Sequence, residues 1–279
     1  MRALILGAVL ACCVTAAEAA CPDVSLMQNA ARGWIAGQRL PDPLLRRMDD
    51  ALCGYDSFRG VLEAELGPPV GVKVGFASDD ERRQFDVEGP LAGAIFAPML
   101  VQDGARLSLK GSRNPQFQAG LVVTVGANSI MQARSREDVA AALRDVRPYL
   151  ELPDFAYARG VSPSTVLMAT YGGMPWRGVL GGGIAMSDLP DPVADLERMA
   201  VELRLNGRIV AEAQGGMLMG HPLDAVLWLI EQRRFDLKRG SIIALGSFAS
   251  FGPATAGQRI EVDYSLAGKS MDVRVTLTP

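Results

Sequence analysis

One histidine in 279 residues narrows the chemistry open to this chain. A His-rich metal centre cannot be assembled, and a Ser-His-Asp or Cys-His arrangement would have to run through His221. His221 stands just before Pro222 at the start of a helical pattern, where capping or simple exposure explains a histidine more readily than catalysis. Of the four cysteines, Cys12 and Cys13 fall in an apolar leader, so the mature chain keeps Cys21 and Cys53. In an oxidising compartment a disulfide is their natural state, with two free thiols as the alternative. Gly172-Gly173 and Gly181-Gly182-Gly183 bracket Trp176 without the spacing of a P-loop or a dinucleotide fingerprint, and read as a turn-rich connection.

The elements that must position such residues begin after the leader. A short basic start, an apolar run from Ala3 to Ala16 and the small-x-small triplet Ala17-Glu18-Ala19 have the form of a secretory signal cleaved near Ala19. The apolar run is too short for a comfortable membrane span, so the expected product is exported, with the periplasm as its compartment. Hydrophobic residues make up 49% and charged residues 21%, which excludes collagen-like, coiled-coil and wholly disordered classes. A formal charge of -3 without a Lys/Arg run gives no footprint for nucleic acid.

From Val24 to about Leu66 the pattern is helical, with a helix expected to begin near Asp42-Pro43 and stripes through Leu26, Ala30 and Trp34, then Leu44, Met48 and Leu52. Gly67-Pro68-Pro69 ends this section. Val70 to Ala77 reads as a strand, Ser78-Asp79-Asp80-Glu81 as a capped short helix or turn, and Phe117 to Val125 as a strand. Ser135 is expected to cap a helix running to about Tyr149. Asn206-Gly207 marks a hairpin, Pro222 to about Phe235 a helix, and Ser241–Leu245, Gln258–Tyr264 and Met271–Leu277 three further strands. The expected class is α+β: a signal at 1–19, a helical section at 20–68, and one long β-rich domain at 69–279.

Several phrases, in order, resemble the 2-keto-4-pentenoate hydratase branch of the fumarylacetoacetate hydrolase family. They are Gly71-Val72-Lys73-Val74-Gly75-Phe76, Pro90 to Gly93 leading into Met99 to Gly104, Leu150-Glu151-Leu152-Pro153-Asp154, Leu180-Gly181-Gly182, Asn206-Gly207, Gly220-His221-Pro222 through Leu229, and Leu245-Gly246-Ser247. The resemblance covers nearly the whole mature chain. It implies a mixed, mostly antiparallel β-roll around an active-site cavity, commonly in homo-oligomers.

The resemblance also implies a site. Members of this branch hold Mg²⁺ or Mn²⁺ with a Glu-x-Glu pair on one strand and a third Glu after the following helix, a spacing that aims i and i+2 side chains at one hard cation. Here the pair position reads Gln118-Ala119-Gly120, and Glu151 alone survives at the third. The family's acidic residue before Phe-Gly is Leu91, and its Asp-Asn-Ala-Ser phrase is Tyr171-Gly172-Gly173-Met174. The family lysine falls on Lys73, where it holds a substrate carboxylate or moves a proton. With Glu151, Lys73 forms the expected catalytic pair; with Asp154 and Ser247 it forms the expected ligand-binding set. Each has a plainer reading: a solvated strand lysine, an ion-pair glutamate, a turn-capping aspartate and a Gly-Ser turn.

The functional expectation is an exported hydratase-like protein with a cavity for a small carboxylate or 2-oxo acid. No cofactor is expected, because the degenerate metal site lacks two anionic ligands, and the family chemistry is lost or altered. The alternatives are an active hydro-lyase or decarboxylase on 2-oxo-alkenoates, and an oligomeric scaffold whose cavity Tyr171 or Trp176 fills.

Overall fold

A computed structural model describes residues 21–248 and 252–279; the expected export signal lies outside them. Helix α1 (Val24–Ile35) starts where Asp23 accepts hydrogen bonds from the amides of Ser25 and Leu26, and buries Met27, Ala30 and Ala31. Leu26, expected on the inner stripe, is exposed. Helix α2 (Met48–Leu66) begins six residues later than the Asp42-Pro43 signal predicts. Asp42 accepts from the Leu44 amide at 2.8 Å instead, and Leu44 at φ 59° takes a left-handed turn that no helix can continue through. The Cys21–Cys53 disulfide, as expected, ties the start of α1 to α2.

The β-rich part opens with β1 (Pro69–Gly75), the short helix α3 (Asp79–Phe85), β2 (Leu91–Phe96), β3 (Leu100–Gln102), β4 (Ala105–Ser108) and β5 (Gln116–Val125). Ser135 caps α4 (Arg136–Ala142) through a capping box with Asp138, but this helix stops at Ala142 rather than near Tyr149. Leu143 to Leu152 form β6, because Val146, Pro148, Leu150 and Leu152 are apolar at period two and Pro148 lacks the amide a helix would need. Helix α5 (Thr165–Thr170), capped by Ser164, carries no strong sequence signal. Then β7 (Arg177–Leu180) lies inside the glycine-rich stretch that reads as a loop, followed by β8 (Ile184–Ala185) and α6 (Pro192–Arg198). The remaining elements are β9 (Ala200–Leu205), β10 (Arg208–Gln214), α7 (Asp224–Gln232), β11 (Ile242–Ser247), β12 (Gly252–Pro253), β13 (Arg259–Leu266) and β14 (Lys269–Thr278). Asn206 and Gly207, both at positive φ, make the predicted hairpin turn between β9 and β10.

Two sheets result, in an α+β architecture. The larger runs β2-β1-β11-β5-β6-β7-β3, with β12 beside β5 and β8 beside β6; the smaller runs β10-β9-β13-β14-β4. Most pairings are antiparallel, with β1–β11, β3–β7 and β4–β14 parallel. Leu121, Val123 and Leu150 of the large sheet meet Val262, Tyr264 and Val273 of the small one in the main core. A second core lies under the N-terminal helices, where Met27, Tyr55 and Phe58 pack on Leu167, Met168 and Tyr171.

Candidate functional site

Register brings the predicted residues together. Directly opposed residues of a sheet share a face, and so do residues two apart on one strand. Gln118 pairs with Glu151 across β5 and β6, and Gly120 pairs with Tyr149 on one side and Ser247 on the other. Lys73 pairs with Ala244, and Ala244 with Val122. Lys73, Gln118, Gly120, Tyr149, Glu151 and Ser247 therefore lie on one face of the large sheet, contributed by β1, β5, β6 and β11.

At the centre the Lys73 ammonium forms an ion pair with Oε1 of Glu151 and donates to the Gly173 carbonyl at 3.0 Å. Gln118 donates its amide to Oε2 of Glu151 at 2.8 Å. Both carboxylate oxygens are thus occupied, whereas Gln118 Oε1, also buried, has no partner among the described residues. The group is buried, with Lys73 at 4% exposure and Gln118 and Glu151 at 2%. Lysine carries three N–H donors, and two have acceptors among the described residues.

A second carboxyl comes from α3. Glu81 accepts a hydrogen bond from the Ser247 hydroxyl and another from Ser78 Oγ at 3.4 Å. Burial pushes Glu81 up to about 7, with the charge of Glu151 adding to the rise and the Ser247 hydroxyl and the Lys73 charge opposing it. Sequence reasoning missed this residue. Ser78-x-x-Glu81 has the form of a helix cap, and the Glu81 amide does bond to Ser78 Oγ at 3.3 Å, which accounts for the pair locally. The available signal was position, since a short helix directly after the Lys73 strand can fold back over that strand's face. Tyr149 was missed likewise. Its hydroxyl is held well above its ordinary value, first by burial and then by the charge of Glu151.

The other predicted residues act elsewhere. Asp154 accepts from the backbone amides of Arg113 at 2.9 Å and Asn114 at 2.6 Å, so it anchors a loop, the turn-capping reading of this residue. It borders a cleft of about 370 Å³ with Trp34, Trp176 and Arg177, which none of Lys73, Glu81, Gln118, Glu151 or Ser247 lines. His221 is fully buried; its Nδ1 accepts from the Leu223 amide at 3.0 Å and its Nε2 meets the Val193 carbonyl at 2.9 Å, so it fastens the start of α7. Leu91 packs in the second core and faces Gly75 across β1 and β2. Tyr171 donates to the Pro41 carbonyl at 2.8 Å and packs against Phe58 and Tyr157.

Whether this arrangement suits a divalent cation turns on its donors. A side chain at Gly120 would place Cβ 3.0 Å from Tyr149 Cδ1 and 3.1 Å from the Gly246 carbonyl oxygen. The side chain crowding Gly120 is thus Tyr149. At the three family ligand positions there remain one neutral amide and one carboxylate whose oxygens already hold an ammonium and an amide. Hard cations prefer carboxylate and water oxygens, and as paired here these positions offer no free carboxylate: a divalent cation would have to displace Lys73 or Gln118 from Glu151.

No protein-family model matches the chain. A 2-hydroxyhexa-2,4-dienoate hydratase of Comamonas testosteroni is 29% identical over 199 residues, covering 69% of this chain and 73% of the relative. Other relatives are 4-oxalocrotonate decarboxylases and 2-keto-4-pentenoate hydratases. Among solved structures, the 4-oxalocrotonate decarboxylase from Pseudomonas putida G7, complexed with magnesium and adipate, superposes with a TM-score of 0.78 at 22% identity, covering 91% of this chain and 96% of that one. A fumarylacetoacetate hydrolase family protein from yeast superposes at 0.55 and 15% identity, covering 74% and 91%. The chain has the fold of the fumarylacetoacetate hydrolase family. It is similar to the 2-keto-4-pentenoate hydratase branch of that family, as its phrases imply.

Proposed function

We propose that this chain is an exported lyase of the hydratase or decarboxylase kind acting on small 2-oxo-alkenoates, with Lys73 supplying the charge that a divalent cation supplies in its relatives. The observation that carries this reading is the buried Lys73–Glu151–Gln118 group. Chemistry on a 2-oxo acid requires negative charge on the 2-oxygen to be stabilised as an enol or dienol forms, and a preorganised donor in a dry site does this effectively. Among the described residues the group keeps one lysine donor and one amide acceptor unspent, which complements a substrate carrying a carboxylate or carbonyl oxygen beside an enol hydroxyl. The relatives' names support the substrate class. The Cys21–Cys53 disulfide supports export to the periplasm, and assembly into homo-oligomers belongs to the same reading.

A second reading, binding of a small carboxylate without turnover, draws on the ion pair itself. Glu151 already neutralises Lys73, so an entering anion must compete with a buried carboxylate. One experiment separates them. The mature protein is titrated calorimetrically with Mg²⁺ and Mn²⁺, then given 2-hydroxyhexa-2,4-dienoate and 4-oxalocrotonate while dienol absorbance is followed in the ultraviolet, with and without chelator. Turnover that survives the chelator is the expected result. Micromolar metal affinity with metal-dependent turnover overturns the lysine-only site, binding without turnover selects the second reading, and neither binding nor turnover overturns both.

A further inference from the structure

Glu81 differs from every other charged member of the site. Its carboxyl meets two hydroxyls, Ser247 and Ser78, and no lysine or arginine lies within ion-pair distance among the described residues. The adjacent Arg82 spends its guanidinium on the Phe76 and Ala77 carbonyls and on Asp79. The charged groups facing Glu81 from packed elements are Lys73 of β1 and Glu151 of β6, and these two are paired with each other. From β11 it receives, among the described residues, only the Ser247 hydroxyl, and Ser78 closes the turn before α3. A carboxyl at 1% exposure with no counter-charge is costly to ionise, so it carries a proton into the neutral range. The rise to about 7 agrees with this geometry. Ser247, opposed to Gly120 in the sheet, stands on the same face as Gln118 and Glu151, and its hydroxyl joins Glu81 to that face.

We infer that Glu81 is the proton store of this site, keeping its proton as an anionic 2-oxo acid enters and delivering it by way of Ser247, whose hydroxyl oxygen takes up the Glu81 proton as its own proton passes to the substrate's 2-oxygen. The inference rests on the 2-oxo-alkenoate reading above. In decarboxylation of a 2-oxo-3-enedioate, the bond to the departing carboxylate breaks and carbon dioxide leaves. The electron pair moves through the conjugated enone to the 2-oxygen, which takes the stored proton, and solvent reprotonates Glu81. The entering anion adds negative charge beside Glu151, which holds Glu81 protonated to higher pH and couples binding to proton uptake.

The test uses the full mature chain and the non-reacting probe 2-oxopentanoate. Infrared pH titration of the ligand-free protein should show a protonated-carboxyl band that disappears around neutrality in wild type, is absent in Glu81→Gln, and persists to higher pH in Ser247→Ala, which loses the hydroxyl that favours the carboxylate. Calorimetry in buffers of different ionisation enthalpy should show wild-type affinity falling by up to about tenfold per pH unit above neutrality with proton uptake, and a flat profile in Glu81→Gln. Absence of the band overturns the inference whatever the ligand does. A band with pH-independent binding also overturns it. A band with no binding at any pH overturns the 2-oxo acid reading and the proton role together, so the two failures are told apart.

Discussion

Replacing Lys73 with methionine keeps most of the side-chain volume but strips Glu151 of its counter-charge in a place with almost no access to water. Glu151 is 2% exposed, and its remaining partner is the Gln118 amide at 2.8 Å. Breaking a buried ion pair from one side costs about 3–5 kcal/mol, because the orphaned charge keeps its desolvation penalty and loses its attraction. For a chain of this size that corresponds to roughly 6–20 °C in melting temperature. The loss should be greatest in alkaline buffer and shrink as pH falls, since an unpaired buried carboxylate escapes the penalty by taking up a proton. The double variant Lys73→Met with Glu151→Leu removes both charges and should recover most of the loss. Urea unfolding of wild type, both single variants and the double variant at pH 5 and pH 8 completes the cycle. A loss below about 1 kcal/mol in Lys73→Met at pH 8, or a double variant no better than the single, would mean that water solvates Glu151 and that the ion pair is not a buried one in solution.

Glu81→Gln should raise stability at pH 8 and leave it nearly unchanged below pH 4. Its raised value means the folded state binds the extra proton, so wild type loses stability as pH rises from about 4.5 to about 7, by roughly 3 kcal/mol, and the amide does not; melting scans at the two pH values check this. Removing the Cys21–Cys53 link, which closes 32 positions of chain, should cost about 3 to 4 kcal/mol in the chain-entropy model and loosen α1 and α2 first. Denaturant unfolding with limited proteolysis of the double-alanine variant measures it, and equal protease resistance would contradict it. Gln118→Glu with Gly120→Glu should bind divalent metal only weakly while Tyr149 is present, because the new Cβ at position 120 starts 3.0 Å from the Tyr149 ring and 3.1 Å from the Gly246 carbonyl oxygen. Adding Tyr149→Ala should raise the affinity, and titration of both folded variants with Mn²⁺ decides.

Much of this architecture was readable from local pattern. Period-two runs marked β1, β5, β13 and β14, and Asn206-Gly207 marked its turn because both residues tolerate positive φ. The alignment of Gln118 with Glu151 followed from family phrases, and the sheet register places the two directly opposite one another. What escaped was decided at long range. Leu143 to Leu152 follows a capped helix and its first residues suit a continued turn, yet pairing with both β5 and β7 claims it as a strand. The Arg177–Leu180 strand hid among glycines because Gly178 is there for Tyr149, whose hydroxyl oxygen would lie 1.9 Å from any Cβ added at that position. Glu81 escaped because a helix cap explained it, and only the folded sheet shows which face α3 covers.

The Tyr149 ring binds three positions into one decision. It stands over Gly178, where an added Cβ would meet its hydroxyl oxygen at 1.9 Å, and it narrows the space at Gly120, where a side chain needs the ring and the Gly246 carbonyl to give way. Loss of the tyrosine alone would leave a hollow beside Glu151. A carboxylate at position 120 therefore comes at a local cost set by how far the ring can shift, while a side chain at position 178 is barred until the ring is gone. The ring acts as a ratchet on descent, making the present charge pattern easier to keep than to reverse.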